Sequence, residues 1–136
     1  MLNSGIEWTD HTVNPWWGCH KIAPECRGCY AAGSSGRYGG PKWGLNTERQ
    51  ARVDAALREL GKYARLGAKL RTPQKVFIAS MADIFEDRPD VALLRHEFLT
   101  RAQEIPGAAQ HLRLLLLTKR PEVMAAYAAD HGWHDW

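Results

Sequence analysis

The feature that most constrains the fold is an alternation of strand-like and helix-like stretches, each closed by proline or glycine. A short strand around Thr12–Asn14 comes first. Thr47 is placed to cap a helix whose apolar positions Val53, Ala56, Leu57, Leu60 and Ala64 recur at helical spacing, with Gly67 as its stop. Pro73 then precedes the strand formers Lys75 to Ser80. Pro89 opens a second helix, with Val91, Leu94, Phe98 and Ala102 along one face, closed by Pro106 and Gly107. His111 to Leu117 reads as a strand buried on both faces, and Pro121 opens a last helix through about Ala129.

Strand–helix repetition of this kind predicts an α/β fold, a parallel sheet with right-handed crossover helices. At 136 residues the chain is too short for a closed eight-stranded barrel, which needs about 250. The expectation is a partial (β/α) barrel, a half-barrel or open sheet, forming a single domain over residues 1–136 that is truncated relative to a longer protein. Within it, a cysteine- and tryptophan-rich leader spans 1–47 and the βα units span 48–136. The leader holds Trp8, Trp16, Trp17 and Trp43, and its prolines and the run Gly33 to Gly36 forbid a long helix. Packing beneath a long loop is the ordinary use of such tryptophans.

All three cysteines fall within eleven residues of that leader, as Cys19-x6-Cys26-x2-Cys29. An odd, clustered set does not make a disulfide framework, and in a reducing compartment it reads as a metal-ligand or catalytic group. The Cys26-Arg27-Gly28-Cys29 pair is a chelate, Gly28 allowing a close turn, with Gly18 and Pro24 folding Cys19 back as a third ligand. Thiolates suit zinc and iron–sulfur clusters. Closed zinc sites take four ligands, and a histidine would have to supply the fourth. His20, adjacent to Cys19, is poorly placed for that role, and His11 is the better candidate. A [4Fe–4S] cluster on three thiolates instead keeps one iron open for chemistry. Uncoordinated thiols are the plain alternative.

Ligands in parallel α/β folds bind at the carboxyl ends of strands. Ser80 and Asp83 follow one strand, and Lys119 and Arg120 follow the next, so all are expected on the rim of the cysteine loop. Ser80 and Asp83 suit the amino or ribose groups of a nucleoside cofactor. Lys119 and Arg120 suit a carboxylate or phosphate. Asp83 and Lys119 are the candidate catalytic residues, and Ser80, Asp83, Tyr30 and Arg120 the cofactor-binding ones. Tyr30, beside Cys29, is placed to shield the centre from water. Plain readings stand beside these: a turn cap for Asp83, a solvated helix start for Lys119 and Arg120, and packing for Tyr30. Arg37, Lys42 and Arg49 interleave with Tyr38 and Trp43, a pattern compatible with a nucleic-acid strand or with an ordinary solvated loop. His96, His111, His131 and His134 make no ligand pair with a cysteine and receive no role.

The net charge of +3, from 18 basic and 15 acidic residues, does not by itself argue for nucleic acid. No apolar run approaches the roughly 20 residues needed to span a bilayer, and MLNSGIEWTD lacks the features of a secretory signal. The expected setting is cytoplasmic, with no membrane partner.

The segments Ile6 to Asp10, Asn14 to Cys19, Cys26 to Ala31, Ser80 to Phe85 and Leu117 to Pro121 resemble a phage-associated family of unknown function with an N-terminal three-cysteine motif. Members of that family continue well beyond this length. More distantly, Cys29-Tyr30-Ala31, a strand ending near Asp83 and a later strand ending in Thr118-Lys119 are similar to spore-photoproduct-lyase-like radical enzymes. Those enzymes have three residues between their first two cysteines, and this chain has six. The resemblance implies a radical S-adenosylmethionine enzyme with a [4Fe–4S] cluster on Cys19, Cys26 and Cys29, S-adenosyl-L-methionine on the open iron, and an unknown substrate. The alternative is a non-enzymatic zinc module interacting with nucleic acid or with a partner protein from a neighbouring phage gene.

Overall fold

The computed structural model describes residues 4–35, 37 and 43–133. Three parallel strands, β1 (His11–Val13), β4 (Gln74–Ile78) and β5 (Leu112–Leu116), form a sheet in the order β1-β4-β5. His11 aligns with Val76, and Val76 with Leu114. The fold is therefore the expected α/β arrangement with an open parallel sheet, and the described residues close no barrel. A second, antiparallel ribbon joins β2 (Trp16–Trp17) to β3 (Gln50–Ala51). The leader is thus built into the fold, since β1 enters the main sheet and β2 pairs across the boundary expected near residue 47.

The crossover helices are α2 (Val53–Leu70) between β3 and β4, then α3 (Pro89–Gln103) with the short α4 (Ala108–His111), and α5 (Pro121–His131) after β5. A further short helix, α1 (Tyr30–Ser35), follows the cysteine turn. Proline stands at the start of α3 and α5 as expected, where its missing N–H costs nothing. Among the described residues no helix is long and apolar enough to cross a membrane.

Strand alternation sorts the sheet into two faces. Val13, Val76, Ile78, Leu112, Leu114 and Leu116 join the core with Leu60 of α2 and Phe98 and Leu99 of α3. Phe77 points to the opposite face and meets Trp8. Trp16 is fully buried in the core, the packing role expected of a leader tryptophan. Trp133 packs edge-on to Phe85 and Tyr127.

Three local expectations change. Thr47 does not cap α2; its hydroxyl donates to the Trp43 carbonyl, and the helix begins at Val53 because Gln50 and Ala51 are taken into the ribbon. Among the described residues β5 lies at the edge of the sheet, so Leu114, Leu115 and Leu116 are half-buried and Leu117 is 59% exposed instead of buried on both faces. Gly67 does not stop α2, which runs on to Leu70.

Gly67 is needed for close approach. A Cβ there would stand 2.6 Å from the His111 carbonyl oxygen and 3.2 Å from that of Thr72. Gly67→Ala is therefore expected to destabilise by about 1–2 kcal/mol despite alanine's better helix propensity. Gly61, where a Cβ would meet only Arg65 Nη1 at 3.5 Å, is the control. Gly61→Ala is expected to stabilise by about 0.5–1 kcal/mol. Urea midpoints at constant m-value read both.

Candidate functional site

The cysteine loop is set by the backbone before any thiol is considered. Gly18 carries φ +117°, a conformation that favours glycine, and its N–H bonds the Met81 carbonyl at 3.0 Å. That hydrogen bond ties the start of the loop to the segment leaving β4. Pro24 opens a 3-10 turn through Gly28 that carries Cys26, and Cys29 directly precedes α1. Gly28 itself has neither a left-handed φ nor a crowding neighbour. The conformational demand expected there falls on Gly18 instead.

Cys19, Cys26 and Cys29 are all free, and all line one cavity of about 650 Å³. Ser80, Asp83, Lys119, Arg120 and Tyr30 line it too. The three cysteines and the expected cofactor and catalytic residues therefore meet at the carboxyl ends of β4 and β5, and of the metal-ligand candidates only His11 does not. Lys119 Nζ lies 3.6 Å from Cys26 Sγ, and Arg120 Nη1 lies 3.8 Å from Cys19 Sγ. Backbone hydrogen bonding at Ile22 holds the Cys26 thiol below its ordinary range against burial, with further help from Ala23 and Lys119. Burial pushes the Cys19 thiol up, against the pull of Arg120. Cys26 is thus the readier thiolate of the two.

Asp83 is saturated. Oδ1 accepts from Phe85 N at 2.9 Å and Thr118 Oγ1 at 2.7 Å, while Oδ2 accepts from Lys119 N at 3.1 Å and Arg120 Nη1 at 2.7 Å. A carboxylate offers about four acceptor positions, so this one is a clamp between the two strand exits and not a free proton acceptor. Ser80 is similarly engaged. Its hydroxyl pairs with the Asn14 side chain, whose Oδ1 also receives Met81 N, and its carbonyl receives Tyr30 OH at 3.0 Å. Ala79, just before it, holds φ +63°, a left-handed turn that re-aims the chain out of the sheet. Ser80 and Tyr30 thereby shape one wall of the cavity.

Sequence reasoning missed the polar network behind Cys19. Glu86, fully buried, receives Arg49 Nε at 2.8 Å and Nη2 at 2.6 Å in a bidentate pair, and His20 Nδ1 lies 2.6 Å from Oε1. Burial alone would push the Glu86 carboxyl up, but the hydrogen bonds from Arg49 and His20 outweigh it and hold it low. His20, set aside as a ligand because it adjoins Cys19, lines the cavity. Arg49, expected on a basic surface strip, is 4% exposed and belongs to this ion pair. Arg37 is exposed, while Tyr38 and Lys42 lie outside the described residues. His11 sits at the opposite end of the sheet, buried, stacked on Tyr63 at 4.0 Å and bonded to Gln74, and it does not line the cavity. It is excluded as a fourth ligand by position.

Among the described residues, no group of three or more His, Cys, Asp or Glu side chains is already set to hold a metal ion. The donor chemistry nevertheless fits a thiolate-bound centre, with three thiols on one cavity and a cation beside two of them. Comparison with curated proteins and with solved structures finds no match. A family model does match, over residues 3–135, a span that takes in the cysteine loop and both strand exits that converge on it. By that match the chain belongs to the family described as Protein of unknown function (DUF5131).

Proposed function

We propose that the chain is an iron–sulfur protein of radical S-adenosylmethionine type, with Cys19, Cys26 and Cys29 holding a [4Fe–4S] cluster. The observation that carries this reading is the meeting of three thiols from one short segment with Lys119 and Arg120, in one cavity at the carboxyl ends of parallel strands. Held by Cys19, Cys26 and Cys29, such a cluster would supply one-electron reducing chemistry toward S-adenosyl-L-methionine. The phage association and the likeness to spore-photoproduct-lyase-like enzymes belong to this proposal.

The chain's own residues take defined parts in it. Lys119 and Arg120 donate toward two sulfurs, the kind of contact that tunes cluster potential. The Lys119 ammonium, whose only side-chain hydrogen bond among the described residues is to Cys26, keeps donors to meet a bound anion. Arg120, bound to Asp83 and to the His20 carbonyl, positions Cys19. Asp83 is a positioning residue for both strand exits, and Ser80 and Tyr30 close the wall.

Anaerobic reconstitution with iron and sulfide tests the reading. The expected result is a broad visible absorption with stoichiometric iron, abolished by Cys26→Ala. Stoichiometric zinc without iron after oxygen-free preparation defeats it in favour of the zinc module. Absence of any metal defeats both.

A further inference from the structure

Trp8 is 46% exposed, an unusual setting for the largest apolar side chain. Its ring leans on Phe77, with centroids 4.9 Å apart and planes at 56°. Both rings line the cysteine cavity, with Ile6 and Leu117 beside them. Because Phe77 stands on the sheet face turned away from the helical core, Trp8 is braced from beneath and keeps an open side. An indole fixed against a cavity wall is a platform for a planar ring, since every such ring has a face to stack.

The charge in the same cavity is one-sided. Lys21, Lys119 and Arg120 line it against Asp83 alone on the acidic side, and Asp83 is already consumed by Arg120 at 2.7 Å. Lys21 is exposed and takes part in no ion pair among the described residues. Lys21 and Lys119 are thus the cations of this cavity without a carboxylate partner among the described residues. A volume of about 650 Å³ is in the range of small-molecule sites.

We infer that this cavity binds a small anionic ligand carrying a planar aromatic ring, of the nucleoside monophosphate class, its ring on Trp8 and its phosphate at Lys21 and Lys119. The inference deepens the proposed function by naming a substrate class for the same cavity, and it does not need the metal to be present for binding.

Calorimetric titration of the metal-free full chain, under reducing conditions and without S-adenosylmethionine, tests it with AMP, adenosine and ribose 5-phosphate. AMP is expected to bind at least about tenfold tighter than either fragment. Trp8→Leu should weaken AMP about tenfold while sparing ribose 5-phosphate. Lys21→Glu should weaken AMP and ribose 5-phosphate while sparing adenosine, and the AMP affinity should fall with added salt. Both substitutions are at exposed positions, and circular dichroism verifies that the variants fold. Equal affinity for AMP and ribose 5-phosphate, or no effect of Trp8→Leu, overturns the inference. So does tighter binding of a single-stranded oligonucleotide, which would make the cavity one end of a strand groove. A chain that binds AMP but forms no cluster refutes the iron–sulfur reading alone. A chain that forms the cluster and ignores AMP refutes this one alone.

Discussion

Glu86→Leu is expected to cost about 3–5 kcal/mol, a large part of the stability of a domain this size. The substitution keeps side-chain bulk but strands Arg49, whose guanidinium is buried and whose bidentate partner is gone. It also frees the His20 ring from its 2.6 Å contact. The cost is the uncompensated charge and not the net worth of the pair. Arg49→Met combined with Glu86→Leu should therefore recover most of the loss, since apolar replacement of a whole buried pair is often neutral. Urea unfolding of the two single variants and the double variant decides it; a double variant as unstable as the sum of the singles would contradict the charge argument. The same pair gives a pH signature. Because the native Glu86 carboxyl is held below its ordinary value of 4.5, its contribution is complete above that value. It is lost as pH falls through the lower native one. The wild-type chain should lose stability on acidification in that window, and Glu86→Gln should flatten that limb.

Asp83→Asn is the second large effect, expected at about 3 kcal/mol. The change is nearly isosteric, so the cause is isolated. If the amide oxygen keeps Phe85 N and Thr118 Oγ1, its NH2 group faces two donors, Lys119 N and Arg120 Nη1, where a carboxylate oxygen had accepted both. Arg120, 4% exposed, is then left with the Cys19 sulfur and the His20 carbonyl as its neighbours. Thermal unfolding gives the stability. In the reconstituted protein, a shift of the cluster potential should accompany it, because Arg120 would sit differently against Cys19. A normal potential with lowered stability would confine Asp83 to a purely architectural part.

The sheet and its helices were legible because their signals are local. Pro89 and Pro121 mark helix starts, and Val53, Ala56, Leu60 and Ala64 mark a buried stripe that needs no knowledge of its partner. The rim residues were legible by topology, since parallel strands deliver whatever follows them to one edge. What escaped was non-local. The β2–β3 ribbon is two residues on each side, too short for any periodicity, and it moved the start of α2 past Thr47. The edge position of β5 follows from strand order and not from its leucines. His20, Arg49 and Glu86 lie far apart in sequence within irregular segments, and each reads alone as a solvated polar residue. Only burial reveals that they belong together.

The open flank of β5 bears on how the protein behaves at concentration. Its outward N–H and C=O groups have no strand beside them among the described residues, and Arg113 is the sole charge on a segment otherwise made of leucine. Natural sheets usually blunt such a flank with several charges, a proline or a bulge. Leu117, exposed just past its end, extends that flank with a further apolar side chain. Arg113 is thus the one charge this strand itself sets against edge-to-edge pairing.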